Sequence, residues 1–171
     1  FNNIFEPARH LVDKIFTFPG AVQPSGEHYF SHSAMNRYGV IMTIPIAIQK
    51  SRETGRIRNF TIAGGLDTGK FCSIYPFDDS DVYKIIEGAA YSLQMFPDTA
   101  LEATVDSLVY LIGEAQEDDG YLYTNRTIDP AHMHEWVGAQ RWENDPGLSH
   151  ELYNLRHVCQ GNSVDPDPDQ A

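Results

Sequence analysis

Cysteine is nearly missing from this sequence: Cys72 and Cys159 are the two thiols in 171 residues. A pair this far apart makes neither a disulfide framework nor a zinc-type spacing, so free, buried thiols are expected. Long apolar runs are missing too. No run of about eighteen apolar residues occurs, which excludes a membrane-spanning helix. Basic residues are scarce, 12 Lys and Arg against 24 Asp and Glu, for a formal net charge of −12 and a pI near 4.8. Such a chain repels phosphate backbones and anionic head groups, so no nucleic acid and no membrane is an expected partner. Strand-type alternation is weak throughout, and no internal repeat is spelled out. No basic-then-apolar leader is visible either. The chain opens on Phe1 rather than Met, so its true start is expected upstream and the compartment stays open.

What is present concentrates between Asp78 and Thr124. This stretch holds eleven acidic residues against the single Lys84, which is net −10 of the formal −12. Val82, Ile85, Ile86, Ala89, Ala90 and Leu93 recur at helical spacing, and Leu101, Val105, Leu108, Ile112 and Ala115 repeat the pattern. Pro97 closes the first helix and Asp98 caps the second. The connection is short, so the two form an antiparallel hairpin. Asp79 or Ser80 is placed to cap the first, and Asp118-Asp119-Gly120 ends the second.

The flanks are less regular. Residues 1–30 read as an irregular N-terminal arm, with a short helix from Ala8 to Phe16. Residues 33–54 read as a helix kinked or restarted at Pro45 and stopped at Gly55. Arg56 to Leu66 reads as extended. Residues 121–148 form a long loop rich in Tyr, Trp and His, of the kind that is functional or disordered. Ser149 is placed to cap a last helix, and residues 161–171 form a disordered Asp/Pro tail. The body, 31–160, is all-α.

Several side chains invite a chemical reading beside a plainer one. Glu87, Glu102, Asp106 and Glu114 fall on polar helix faces, where solvated charge suffices. Asp79 and Asp81 serve as helix-start acids or as ligand contacts. Asp119 is first a turn residue, and Tyr121 and Tyr123 are core rings or stacking surfaces. Trp136 and Trp142 either present a sugar platform or pin the loop. His132 and His134 alternate, so an extended segment points both rings one way, with no third metal ligand adjacent. His150 and His157 lie seven apart, on one helix face. Asn59-Phe60-Thr61 and Asn125-Arg126-Thr127 spell glycosylation sequons, which arise often by chance.

Four segments then come in order: ETGRIRNFTIAGGL (53–66), YPFDDSDVYKIIEGAAYSLQ (75–94), EAQEDDGYLYT (114–124) and SHELYN (149–154). From Thr43 to His157 the chain resembles the N-terminal part of glycoside hydrolase family 127, the β-L-arabinofuranosidase family. The resemblance implies part of an (α/α)6 barrel built from helix hairpins. It implies a retaining exo-glycosidase that releases β-linked L-arabinofuranose from glycans. It also implies a zinc site of one Glu and three Cys holding a cysteine nucleophile, with a separate Glu as acid/base. All of these are expected in the second half of the barrel. Neither Cys72 nor Cys159 matches them, so this chain is expected to carry no catalytic residue and no zinc ligand.

The substrate side does match. His150 of SHELY corresponds to the family's arabinose-binding His, and a helix start holds it in place. Asp79 and Asp81 fall in the family's DSD motif, and Tyr121 in its AQxxDGYL motif. With His157 and Trp142 they make up the expected substrate-binding set. Departures occur at Tyr29-Phe30-Ser31, where the family has Phe-Trp, and at Leu155-Arg156, where it has a small residue and Gly. After His157 an Ala-rich helix is replaced by Val158-Cys159-Gln160-Gly161. The alternative is a non-catalytic helical module that binds carbohydrate or serves assembly. A half barrel would leave an apolar helix face uncovered, which predicts self-association or poor stability.

Overall fold

The computed structural model describes residues 42–145 and 147–160, and every regular element among them is a helix. The first, α1 (Ile44–Glu53), carries Pro45 within its first turn, where a missing N–H breaks no intrahelical bond. Pro45 therefore restarts the helix, one of the two outcomes its sequence allows, after a π turn at 42–43. The rest of the expected 33–54 helix lies outside the described residues. Gly55 follows with φ 79°, and a Cβ there would sit 2.3 Å from the Cys72 Cβ. Backbone conformation and close approach both demand glycine at this position.

Arg56–Ala63 is a helix, α2, and not the extended segment its β-branched residues suggest. The Gly55 carbonyl accepts the Asn59 N–H at 3.0 Å and opens the new helix. Ile57 and Phe60, one turn apart, are then both buried. Burial of that stripe outweighs a weak local preference. Asn59 is fully buried on the same helix. Its Nδ2 donates to Ser73 Oγ and its Oδ1 accepts the Cys72 N–H, both at 2.8 Å. These bonds tie the incoming 71–73 segment to α2. They leave Cys72 exposed, contrary to the buried thiol expected. The Cys159 side chain lies outside the described residues.

The hairpin stands as its periodicity predicts. Helix α3 (Asp79–Met95) and helix α4 (Thr99–Ala115) are joined through Phe96–Asp98. The Asp98 carboxylate accepts the N–H groups of Ala100 and Leu101 at 2.9 and 3.1 Å, a true N-cap. Val82, Ala89, Leu101, Val105, Leu108, Ile112 and Ala115 join Ile48 and Phe60 in one core. Glu102 and Glu114 face solvent, while Glu87 and Asp106 are half-buried. Two boundaries shift. Asp78 is the N-cap of α3 without a side-chain cap bond, so Asp79 and Ser80 lie inside the first turn. Helix α4 stops at Ala115, before the acidic turn, although Gly120 does take φ 90° there.

Helix α1 packs on α3 and α2 on α4, so two helix pairs share the core. The 121–148 stretch is not all loop, because it holds a short helix, α5 (Thr124–Ile128), packed on α2. The last helix, α6 (Glu151–Gln160), packs on α3. Ser149 does not cap it, since its buried Oγ has no hydrogen bond. Asp145 takes that place, its Oδ1 accepting the Leu152 N–H at 2.6 Å. The predicted arm at 1–30 and tail at 161–171 lie outside the described residues. Gly55→Ala is expected to cost about 2 kcal/mol of unfolding free energy, from a left-handed backbone plus the Cys72 clash. Urea unfolding checks it, and an unchanged midpoint and slope would contradict the account.

Candidate functional site

The acids at the head of α3 divide between two partners. Arg56, at the start of α2, reaches Asp78 Oδ2 at 3.1 Å and donates to Asp81 Oδ2 at 2.9 Å. Asp78 is buried, and that burial raises its carboxyl above the usual range against the pull of Arg56. Asp79 turns the other way. It is 1% exposed, and its two oxygens accept the Thr124 N–H at 2.8 Å and the Thr124 hydroxyl at 2.6 Å. Burial pushes it up to about 6, with the Thr124 bonds opposing and Asp78 adding. Asp79 thus clamps the start of α3 to the start of α5.

A second buried carboxylate organises the loop. Glu151, the first residue of α6, is 1% exposed. Its Oε2 accepts the Tyr121 hydroxyl and the Trp142 N–H, each at 2.9 Å. The Arg126 guanidinium lies 3.9 Å from Oε1. Arg126 itself donates to the carbonyls of Gly138, Ala139 and Gln140, which closes the loop on α5. On the outer side Arg141 bonds both Asp119 and Glu117 and lies 4.0 Å over the Tyr121 ring. Trp142 packs edge-on against Tyr121 at 5.2 Å.

His150 stands between these two clamps. Its φ of 54° is left-handed, an uncommon state for a residue with a Cβ. The corner is held from both sides. The Tyr123 hydroxyl donates to the Ser149 carbonyl at 2.7 Å, and the Asn154 N–H donates to the His150 carbonyl at 3.0 Å. The imidazole meets Phe77 edge-on at 4.7 Å. Phe77 is one of three nearly parallel rings with Tyr75 and Trp136, at centroid spacings of 5.5 to 6.4 Å. Further along α6, Tyr153 lies 6.0 Å from His150 and 4.6 Å from His157, with Lys84 over its face. Burial, with Lys84 adding, holds His157 below the usual imidazole range, and its Nδ1 has no hydrogen-bond partner.

The expected residues therefore fall into three places. His150 lies just before α6 and not on it, contrary to the shared helix face expected, and Tyr153 touches both its ring and that of His157. Tyr121 and Trp142 meet at Glu151, on the loop side. Asp79 and Asp81 stand at the head of α3, with carboxylates already bonded to Thr124 and Arg56. Sequence reasoning missed Glu151 and Arg126. The available signals were an acid directly after Ser-His at a helix start, and a lone Arg in an otherwise uncharged short helix. The sequons are explained away: Asn59 is inaccessible, and buried Asn125 accepts the His134 N–H at 3.2 Å. His132 pairs instead with Asp129 at 3.1 Å. Among the described residues no three His, Cys, Asp or Glu side chains converge as metal ligands. A zinc site does not fit the residues described.

Solved structures of GH127 enzymes share this helical fold. The chain matches a GH127 β-arabinofuranosidase with a TM-score of 0.70 and 45% identity, over 77% of this chain and 21% of that one. It matches a GH127 β-L-arabinofuranosidase of Geobacillus stearothermophilus T6 with a TM-score of 0.67 and 31% identity, over 83% and 22%. A non-reducing end β-L-arabinofuranosidase of Bifidobacterium longum subsp. longum is 38% identical over 104 residues, 61% of this chain and 15% of that protein. The family model for the β-L-arabinofuranosidase GH127 catalytic domain matches residues 30–165, and the chain belongs to that family. It spans 15% to 22% of the length of these relatives.

The two clamps give separate expectations. Asp79 ionises near 6 when folded and near 3.9 when unfolded, so the folded state binds more protons in between. Stability therefore falls as pH rises from about 4 to about 6, by roughly 3 kcal/mol from this group. Asp79→Asn can still accept the Thr124 N–H on its oxygen and donate its NH2 to the Thr124 hydroxyl, and it is expected to flatten that slope in chemical unfolding followed against pH. A slope identical to the unsubstituted protein would refute the assignment. Glu151→Ala strands the Tyr121 hydroxyl and the Trp142 N–H and is expected to cost about 3 kcal/mol. Faster amide exchange across 121–145 and faster tryptic cleavage at Arg141 are the readouts, and unaltered protection would remove Glu151 from this role.

Proposed function

We propose that this chain forms the sugar-facing N-terminal part of a retaining exo-β-L-arabinofuranosidase, within an (α/α)6 barrel. The observation that carries the reading is His150. It is a strained, doubly held histidine at the head of α6, with Phe77 against its ring, in a chain of this family. Strain of this kind costs on the order of 1–3 kcal/mol and persists where surroundings over-determine it. An imidazole so fixed offers one donor and one acceptor to ring hydroxyls, which suits a neutral arabinofuranose. Tyr153 and His157 continue from His150 along α6. Tyr121 and Trp142, held by Glu151, shape the neighbouring loop, and Asp79 and Asp81 fix the element that bears Phe77. The substrate class is an arabinose-containing glycan. Zinc and the nucleophile are assigned to the part of the family domain beyond this chain, and none of the roles above depends on them.

A second reading, a non-catalytic carbohydrate-binding or assembly module, is favoured by one observation. Leu152, Tyr153 and Leu155 of α6 are exposed by 50%, 42% and 37%. The two readings separate in an assay of this chain joined to a family domain from which the equivalent N-terminal part has been removed, using an aryl β-L-arabinofuranoside with and without zinc. Release of the aryl alcohol is expected, and no release under either condition sinks the enzymatic reading. His150→Gly relieves the left-handed strain while deleting the ring. It is expected to fold at least as stably and to lose about 100-fold in kcat/KM, as for loss of one well-placed polar group. Unchanged turnover would take His150 out of the site.

A further inference from the structure

Beside His134, which meets Trp136 edge-on, lies a cavity of about 530 Å³. Lys70, Phe71, Asn125, Asp129, His132 and His134 line it. Its volume falls in the range of small-ligand pockets, roughly 300–1,000 Å³. The donors and acceptors on its wall can be assigned from their other bonds. Asn125 is buried and its Oδ1 already accepts the His134 N–H at 3.2 Å, so its amide nitrogen is the group left to offer. His134 Nδ1 accepts the Trp136 N–H at 3.2 Å, which leaves Nε2–H as the ring's donor. Asp129 presents carboxylate oxygens, positioned by the His132 N–H and ring at 3.1 Å. Lys70 has no carboxylate partner among the described residues. Phe71 adds a half-buried apolar face.

The wall thus carries one Lys and one Asp, whose charges balance, together with fixed neutral donors. An ion would meet no excess of opposite charge, whereas a hydroxyl-rich ring would find donors, an acceptor and an aromatic surface. Trp136 joins this cavity to the first site. It meets His134 edge-on at 4.8 Å and lies parallel to Phe77 at 6.4 Å, and Phe77 in turn meets His150. We propose that the Lys70–His134 cavity is a second sugar subsite, which takes a neutral glycosyl unit of the same glycan whose terminal arabinose meets His150. This rests on the sugar-binding reading of His150. It makes the protein selective for oligosaccharides over simple arabinosides.

The test is binding to the 171-residue protein, followed through its histidine imidazole resonances. Methyl β-L-arabinofuranoside and a β-linked L-arabinofuranosyl disaccharide are the probes. The methyl glycoside is expected to shift His150 and leave His134 still. The disaccharide is expected to shift both and to bind about tenfold tighter, the worth of one or two added hydrogen bonds. Lys70→Ala, at an exposed side chain, is expected to remove that gain and leave methyl glycoside affinity unchanged. Equal affinities, with His150 shifted and His134 still, would overturn the second subsite alone. A disaccharide that moves His134 without His150 would keep the cavity as a sugar site and overturn the His150 reading. No response to either sugar would overturn both.

Discussion

A carboxylate taken out of water must be met by donors, or it destabilises the fold by several kcal/mol. Glu151 is such a group, and the 121–148 stretch is arranged to meet it. The Tyr121 hydroxyl arrives from the turn after α4, and the Trp142 N–H from the far limb of the loop. Helix α6 contributes its own N-terminal field, which favours a negative charge at its first residue. Arg126 adds a nearby positive charge while its guanidinium gathers three successive carbonyls. One buried charge thereby fixes both ends of a long connection and its middle. The course of that connection is what sets Trp136 beside Phe77 and turns the chain at His150.

The cations of this acidic chain are few, and several are committed to loop geometry. Arg56 holds the start of α3, Arg58 pairs with Asp67, and Arg141 pins the acidic turn. Little positive charge is left for the outer faces of α3 and α4, which stay strongly acidic. A neutral sugar is indifferent to that field, whereas a polyanion would be repelled. The charge distribution is therefore compatible with the neutral glycan proposed as the ligand.

Periodic features were legible in the sequence, and features made by distant partners were not. The stripes of α3 and α4, the Asp98 cap and the left-handed Gly120 all follow from local rules, and all stand. Helix α2 was misread as extended, because its β-branched residues speak locally while the burial of Ile57 and Phe60 does not. Pro45 marked the place where a helix starts afresh, as its position in a first turn allows. The Ser149 cap was misread because Asp145, which does the capping, comes from a turn several residues away. The choice of His150 and His157 as substrate-side candidates rested on family motifs together with their spacing. The donors that converge on Glu151 come from positions 30 and 9 residues earlier, which no window of periodicity connects.

Asn59 and Asn125 show how a surface code can be written in the interior. Each heads an Asn-X-Thr triplet; both ends of the Asn59 amide are bonded to the 72–73 segment, and Asn125 is buried with its oxygen on the His134 N–H. In a secretory pathway that glycosylates chains as they emerge, the sugar-transfer machinery meets the triplet before the fold has closed over it. A bulky, hydrated oligosaccharide on Asn59 has no place in a helix packed on that side, so the modified chain would be barred from its native state. The same burial that makes these residues good internal ties makes the protein ill-suited to production by any host that reads the triplet first.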